Sequence, residues 1–271
     1  MPSPTLRQAA VAGSFYPRDP VVLRDTVDAL LADAASSPAP MPKALVVPHA
    51  GYEYSGPVAA SAYARVARGR GLVERVVVIG PSHRVPLRGI ALAGAEGFVT
   101  PLGVVRVPDD WAMNRLSALP AVCVAPEAHR WEHSVEVQLP FIQRTLGDVE
   151  VVPLVAGEAT GVEVADVLEA LWGGPETLLV VSTDLSHYLP DREARPIDAT
   201  TATRIAALDG PIEHEYACGA TPLNGLLVVA RRRVLRPTLL DLRNSSDTAG
   251  DPYRVVGYCA FALYDDEVHH A

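Results

Sequence analysis

The chain has 271 residues, 49% of them apolar, and a formal net charge of −9. This length and apolar content suit a globular core rather than a disordered chain. The acidic balance argues against broad binding to nucleic-acid backbones or anionic membrane surfaces.

No stretch approaches the roughly 20 continuous apolar residues of a membrane span. Residues 1–10 lack the basic-then-apolar pattern of a secretory signal. Cys123, Cys218 and Cys259 form an odd, scattered set, which suits a reducing cytoplasm better than a disulfide framework.

In chain order, residues 11–18 read as a loop. Asp19 before Pro20 predicts a capped helix start, and the stripe Val22, Leu23, Val27, Leu30, Leu31 carries that helix to about Ala34. Residues 36–42 are a Pro/Ser/Ala connection. The run Leu45-Val46-Val47-Pro48 stops at His49, as an apolar strand buried on both faces would. A polar turn over 49–56 and a helix over 57–68 lead to a second such run, Val76-Val77-Val78-Ile79, which ends in Gly80-Pro81-Ser82-His83. Strand, helix and strand make the crossover that parallel strands require.

Short β-like pieces around residues 89–92 and 104–107 predict a small antiparallel excursion. Asp109 or Asp110 can cap a helix over 111–119. The stretch Glu132-His133-Ser134-Val135-Glu136 leads into a helix with Val137, Phe141 and Ile142 on its apolar face. Further strands are predicted over 149–155 and 177–183, with an amphipathic helix over 162–172 between them. The third apolar run closes on Asp184-Leu185-Ser186-His187. Helices over 192–208 and 221–233 follow, then strands over 239–242 and 254–263 joined by a polar loop. No composition break divides the chain. The expectation is one α/β domain with a central, mostly parallel sheet flanked by helices.

In an open parallel sheet, ligands bind beyond the carboxyl ends of the strands. Three histidines at such ends point to one site. Neutral His49 and His83, read as lying on adjacent strand ends, suit a divalent first-row metal. Asp247, in the loop before the last strand, is the candidate third ligand, although turn formation is the default for that Ser/Asp/Gly loop. Two histidines and a carboxylate match non-haem Fe(II) sites, and the same ligands serve zinc hydrolases.

His187 and His133 are then free for proton transfer, with Asp184 placed to orient the His187 ring. His133 between Glu132 and Glu136 reads equally well as a charged helix start. Tyr16, Tyr52 and Tyr54 are candidates for the substrate pocket. Cys218 packs beside the site or serves as a small buried hydrophobe. His129 and His214 read as solvated, and His269 and His270 as part of a terminal tail. No lysine completes a phosphate loop at 80–83, and neither Ser82 nor Ser186 sits in a nucleophile elbow.

These segments, together with Ala12-Gly13-Ser14-Phe15-Tyr16-Pro17, Pro48-His49-Ala50-Gly51-Tyr52-Glu53-Tyr54-Ser55-Gly56 and Thr100-Pro101-Leu102-Gly103, resemble the Memo family, whose prokaryotic form is the Memo-like component of the AmmeMemoRadiSam system. The resemblance implies a fold like that of the class III extradiol dioxygenases, which bind Fe(II) through two histidines and a carboxylate. It matches His49 and His83 to metal ligands, His187 to the acid–base histidine and His133 to a second active-site histidine. Eukaryotic relatives place a cysteine ligand in the loop that here reads Ser245-Ser246-Asp247-Thr248, so Asp247 brings this chain nearer the dioxygenase set.

Three functions follow as expectations. One is an Fe(II) oxidoreductase acting on a small, unidentified substrate. Another is a hydrolase using zinc. The last is a metal- or peptide-binding module, with copper also possible and with radical SAM and AMMECR-type proteins as partners.

Overall fold

The structure, a computed structural model, describes residues 5–34 and 40–265. The tail histidines His269 and His270 lie outside the described residues. In chain order the first elements are β1 (Leu6–Arg7), α1 (Pro20–Asp33), β2 (Ala44–Val47), α2 (Tyr52–Tyr63) and β3 (Arg75–Pro81). Next come β4 (Ile90–Leu92), β5 (Gly97–Thr100), β6 (Gly103–Arg106), α3 (Asp109–Leu116), β7 (Val122–Val124), α4 (Pro126–Arg130) and α5 (Leu139–Leu146). The last are β8 (Glu150–Ala156), α6 (Gly161–Ala170), β9 (Thr177–Ser182), β10 (His187–Leu189), α7 (Asp191–Ala206), α8 (Ala220–Arg232), β11 (Arg236–Asn244) and β12 (Val255–Tyr264).

Nine strands form one sheet in the order β10-β12-β2-β9-β3-β8-β4-β7, with β11 also paired to β12. The inner strands β2, β9, β3 and β8 are parallel. The flanks are mixed: β12 runs antiparallel to β2, and β4 antiparallel to β8. The parallel strands are buried on both faces. Leu45, Val47, Val76, Val78 and Val180 face one core with Leu23, Val58, Tyr63 and Phe141 from α1, α2 and α5. Val46, Val77, Ile79, Leu179 and Val181 face the other with Val164, Leu168, Leu223 and Leu226 from α6 and α8. The period of 2 thus sends neighbouring residues to opposite cores, and this is why the runs are apolar without a break.

Three expectations need correction. β2 and β3 are not neighbours, because β9 lies between them. The excursion over 89–107 splits. Ile90–Leu92 joins the main sheet, while β5 and β6 pair with β1 in a separate sheet of three strands. The helix after His49 starts at Tyr52, not Pro57. Gly51 serves as its N-cap, its carbonyl accepting from Tyr54 and Ser55. Pro57 falls inside the helix.

Candidate metal centre

His49 follows Pro48 at the end of β2, and His83 lies two residues past β3. His133 comes from the turn between α4 and a 3₁₀ turn at Glu136–Gln138. With strands spaced about 4.8 Å apart, the axes of β2 and β3 are separated by about 10 Å. Their histidine side chains nevertheless converge. Ring centroids are 5.2 Å apart for His49 and His83, 4.6 Å for His83 and His133, and 5.4 Å for His49 and His133. Each ring offers one nitrogen, and the three nitrogens lie within 4.8 Å of one another.

Burial, followed by the charges of His133, His83 and His187, holds His49 well below the ordinary imidazole range. Burial also pushes His133 down to about 4. Both rings are therefore uncharged at neutral pH, which is the form that binds metals. Nδ1 of His133 is buried and makes no hydrogen bond, although Glu132 Oε1 is 3.3 Å away. Crowded neutral imidazoles with an orphaned ring nitrogen fit a divalent first-row cation.

Glu132 organises two of the three histidines. Its Oε1 accepts from His83 Nδ1 at 2.9 Å and from the amides of His133 and Ser134, both at 2.9 Å. Its Oε2 accepts from the His83 amide at 2.6 Å. Burial alone would raise this carboxyl, but the His83 hydrogen bond and charge and the amides bring it down to about 2. A carboxylate can only accept, so His83 carries a proton on Nδ1, and in the neutral ring this leaves Nε2 as the metal-binding nitrogen. Carboxylate support of this kind is common behind metal-binding histidines.

The remaining expected site residues divide. Asp247 is not in the trio. Its carboxylate takes two hydrogen bonds from Arg195 and one from the Asn244 amide, capping a 3₁₀ turn at Ser245–Asp247. The third member of the cluster is instead His133. Asp184 is not the partner of the His187 ring. Its Oδ1 accepts from the His49 amide at 2.7 Å, and burial raises its pKa. His187 Nδ1 instead donates to the Leu185 carbonyl at 2.8 Å.

Cys218 does pack beside the site, with Sγ 3.2 Å from His49 Nε2. Burial and the nearby Asp184 charge push its thiol up to about 12. It lines a cavity of about 710 Å³ with His83, Arg88, Glu158, His214 and Thr221. Tyr16 and Tyr52 line a different cavity of about 470 Å³, and their hydroxyls are bound to Glu136 and the Val137 carbonyl. Tyr54 is half-buried, and its carbonyl accepts from Thr248.

Two surface readings were wrong. His129 is buried and donates from Nε2 to the Ala91 carbonyl. Glu132 and Glu136 are buried carboxylates rather than a charged helix start. His214 is exposed, as expected. Sequence reasoning missed Glu132 as a supporting residue. Its one signal was an acid directly beside a histidine.

A model of the family described as Memo-like protein matches residues 7–262. The chain belongs to the Memo family. A MEMO1 family protein of Sulfolobus acidocaldarius is 33% identical, over 96% of this chain and 100% of that one. One from Methanopyrus kandleri is 35% identical over 95% and 98%, and one from Aquifex aeolicus 33% over 93% and 97%. Among solved structures, an uncharacterized protein of Escherichia coli K12 superposes with a TM-score of 0.51 at 15% identity, covering 82% of this chain and 99% of that one. That likeness speaks for the fold alone. Among the described residues of this Memo protein, no helix is long and apolar enough to cross a membrane.

Proposed function

We propose that this Memo protein is a divalent-metal protein with His49, His83 and His133 as ligands, acting on a small molecule held in the adjoining cavity. The observation that carries the reading is the trio of close ring nitrogens from His49, His83 and His133. The cavity of about 710 Å³ falls within the usual range for small-molecule sites. A bound cation would supply Lewis acidity, and Fe(II) would add the capacity to engage dioxygen.

The chain's own residues handle binding and protons. His187 donates from Nδ1 to Leu185, so its Nε2 is free to take a proton from a substrate hydroxyl. Asp184 holds the backbone at His49 through its amide. Fe(II) is our favoured metal, on the strength of the Memo resemblance to extradiol dioxygenases. Protein loaded anaerobically with Fe(II) is then expected to consume O₂ with a small phenolic substrate. His187→Ala should abolish that uptake while the metal stays bound. Full uptake in this variant would overturn the role given to His187.

A hydrolytic reading is favoured by one feature. The trio contains no carboxylate, and three histidines with an open position are also a catalytic zinc set. Ester hydrolysis by zinc-loaded protein without oxygen would select it. Cytoplasmic residence and work with radical SAM and AMMECR-type proteins belong to the same proposal. Co-purification with such partners, lost on metal removal, tests the partnership.

A further inference from the structure

The trio is useful only if each ring turns a bare nitrogen toward the cation. His83 is fixed by Glu132. Nothing ionised contacts His49 Nδ1; its neighbour is Ser182 Oγ at 2.8 Å, a group that can donate or accept. Which it does is settled by two backbone carbonyls further out, because a carbonyl can only accept.

The first is the Ser134 carbonyl, 2.6 Å from Ser182 Oγ. Two oxygens at that distance need a proton between them, and only the Ser182 hydroxyl has one. Its single proton is therefore committed. The second is the Pro48 carbonyl, 2.9 Å from the Gln138 side chain. That contact requires the amide nitrogen, not the amide oxygen, to face Pro48. The same Nε2 then donates to Ser182 Oγ at 3.0 Å, and Oε1 accepts from the buried Tyr63 hydroxyl at 3.0 Å. Ser182 Oγ has given away its proton and can only accept from His49. The proton of the neutral ring must sit on Nδ1, and the Nε2 lone pair is bare beside Cys218.

We propose that Ser182, held by Gln138 and Tyr63, is a positioning residue that locks His49 in the Nδ1–H tautomer and so presents Nε2 to a divalent cation before the cation arrives. Ser182, Gln138 and Tyr63 are all buried, so water does not compete for these bonds. Three side chains that touch no substrate thereby decide which nitrogen of a ligand is available. The cation part of this inference rests on the metal reading above, and the tautomer part does not.

The test uses metal-free protein labelled with ¹⁵N-histidine, read by long-range ¹H–¹⁵N correlation. Zn(II) alone is then titrated into the same samples. Wild type should show His49 as a single Nδ1–H tautomer. Ser182→Ala should show a mixed or inverted tautomer and bind Zn(II) about 10- to 100-fold more weakly, the usual cost of losing a supporting hydrogen bond to a ligand. Ser182→Thr, which keeps the hydroxyl, should restore both. If Ser182→Ala does not fold, Gln138→Met removes the N–H that Ser182 Oγ accepts, leaves the hydroxyl freer to turn its proton from the Ser134 carbonyl toward His49, and should mix the tautomers in the same spectra.

A pure Nδ1–H tautomer with unchanged Zn(II) affinity in the folded variants would overturn the lock. So would an Nε2–H ring in wild type. Failure of wild type to bind Zn(II), Co(II) or Fe(II), with the tautomers behaving as stated, would instead overturn the metal reading.

Discussion

His129 shows what burial does to a residue that looked solvated. Desolvation pushes its imidazole down to about 4 from 6.5, despite the Ala91 carbonyl that holds it. As pH falls the unfolded chain takes up this proton first, so the folded state is stable above about 6.5 and is penalised from there down to about 4. The penalty reaches roughly 3 kcal/mol at the acid end. Glu132 acts in the same direction lower down. Its depressed carboxyl stabilises the fold above 4.5, and that contribution is lost as pH drops toward about 2. Urea midpoints measured from pH 7.5 to 4.5 should fall, and His129→Gln should flatten the upper part of that limb. An unchanged slope in the variant would place the acid sensitivity elsewhere. At this scale the strand-end rule made His49 and His83 legible. His133 was assigned to proton transfer, and Asp247 was chosen as third ligand for its carboxylate and for the loop in which eukaryotic relatives place a ligand. Ser182 and Gln138 left no mark, since polar residues in an apolar run do not announce what they bond to.

Among the elements, the approach of the 131–138 segment to β3 places His133. Gly80 makes that approach possible. A Cβ there would lie 2.5 Å from Ser134 Oγ and 2.8 Å from Ser134 Cβ. Gly80→Ala should leave the protein folded but push the segment away, weakening metal binding about tenfold or more by calorimetry. Unaltered affinity would mean that the segment's position does not matter. A second anchor is Glu136, fully buried, whose carboxylate binds Arg7, the amides of Ala10 and Val11 and the Tyr16 hydroxyl. Phe15 of that N-terminal loop packs on the His133 ring at 4.6 Å. Glu136→Ala strands a buried guanidinium and should cost about 3–5 kcal/mol in urea unfolding. The inner strands and α1, α6 and α8 were readable from their apolar patterns, α1 also from its Asp19-Pro20 cap, and α7 from its composition. β1, β7 and β10 were not, because pieces of two or three residues acquire strand geometry from their partners rather than from their own sequence.

For the whole molecule, the topology carries the three histidines together from residues 49, 83 and 133. Distant chain segments meet only in the folded state, so a cation that binds there stabilises the fold by mass action. At a free Zn(II) concentration 100 times its Kd the gain is about 2.7 kcal/mol, a rise of several degrees in Tm. His49→Ala should abolish that rise. The parallel centre of the sheet was legible from unbroken Val/Ile/Leu runs, whereas the mixed flanks were not, because pairing direction at an edge is set by chain reversal and not by composition. The most direct measurement compares Zn(II) and Fe(II) binding in wild type, His133→Ala and Asp247→Ala by anaerobic calorimetry with elemental analysis. Wild type and Asp247→Ala should hold one ion with similar affinity, and His133→Ala should lose at least tenfold. Loss of the ion in Asp247→Ala with full retention in His133→Ala would contradict the three-histidine centre.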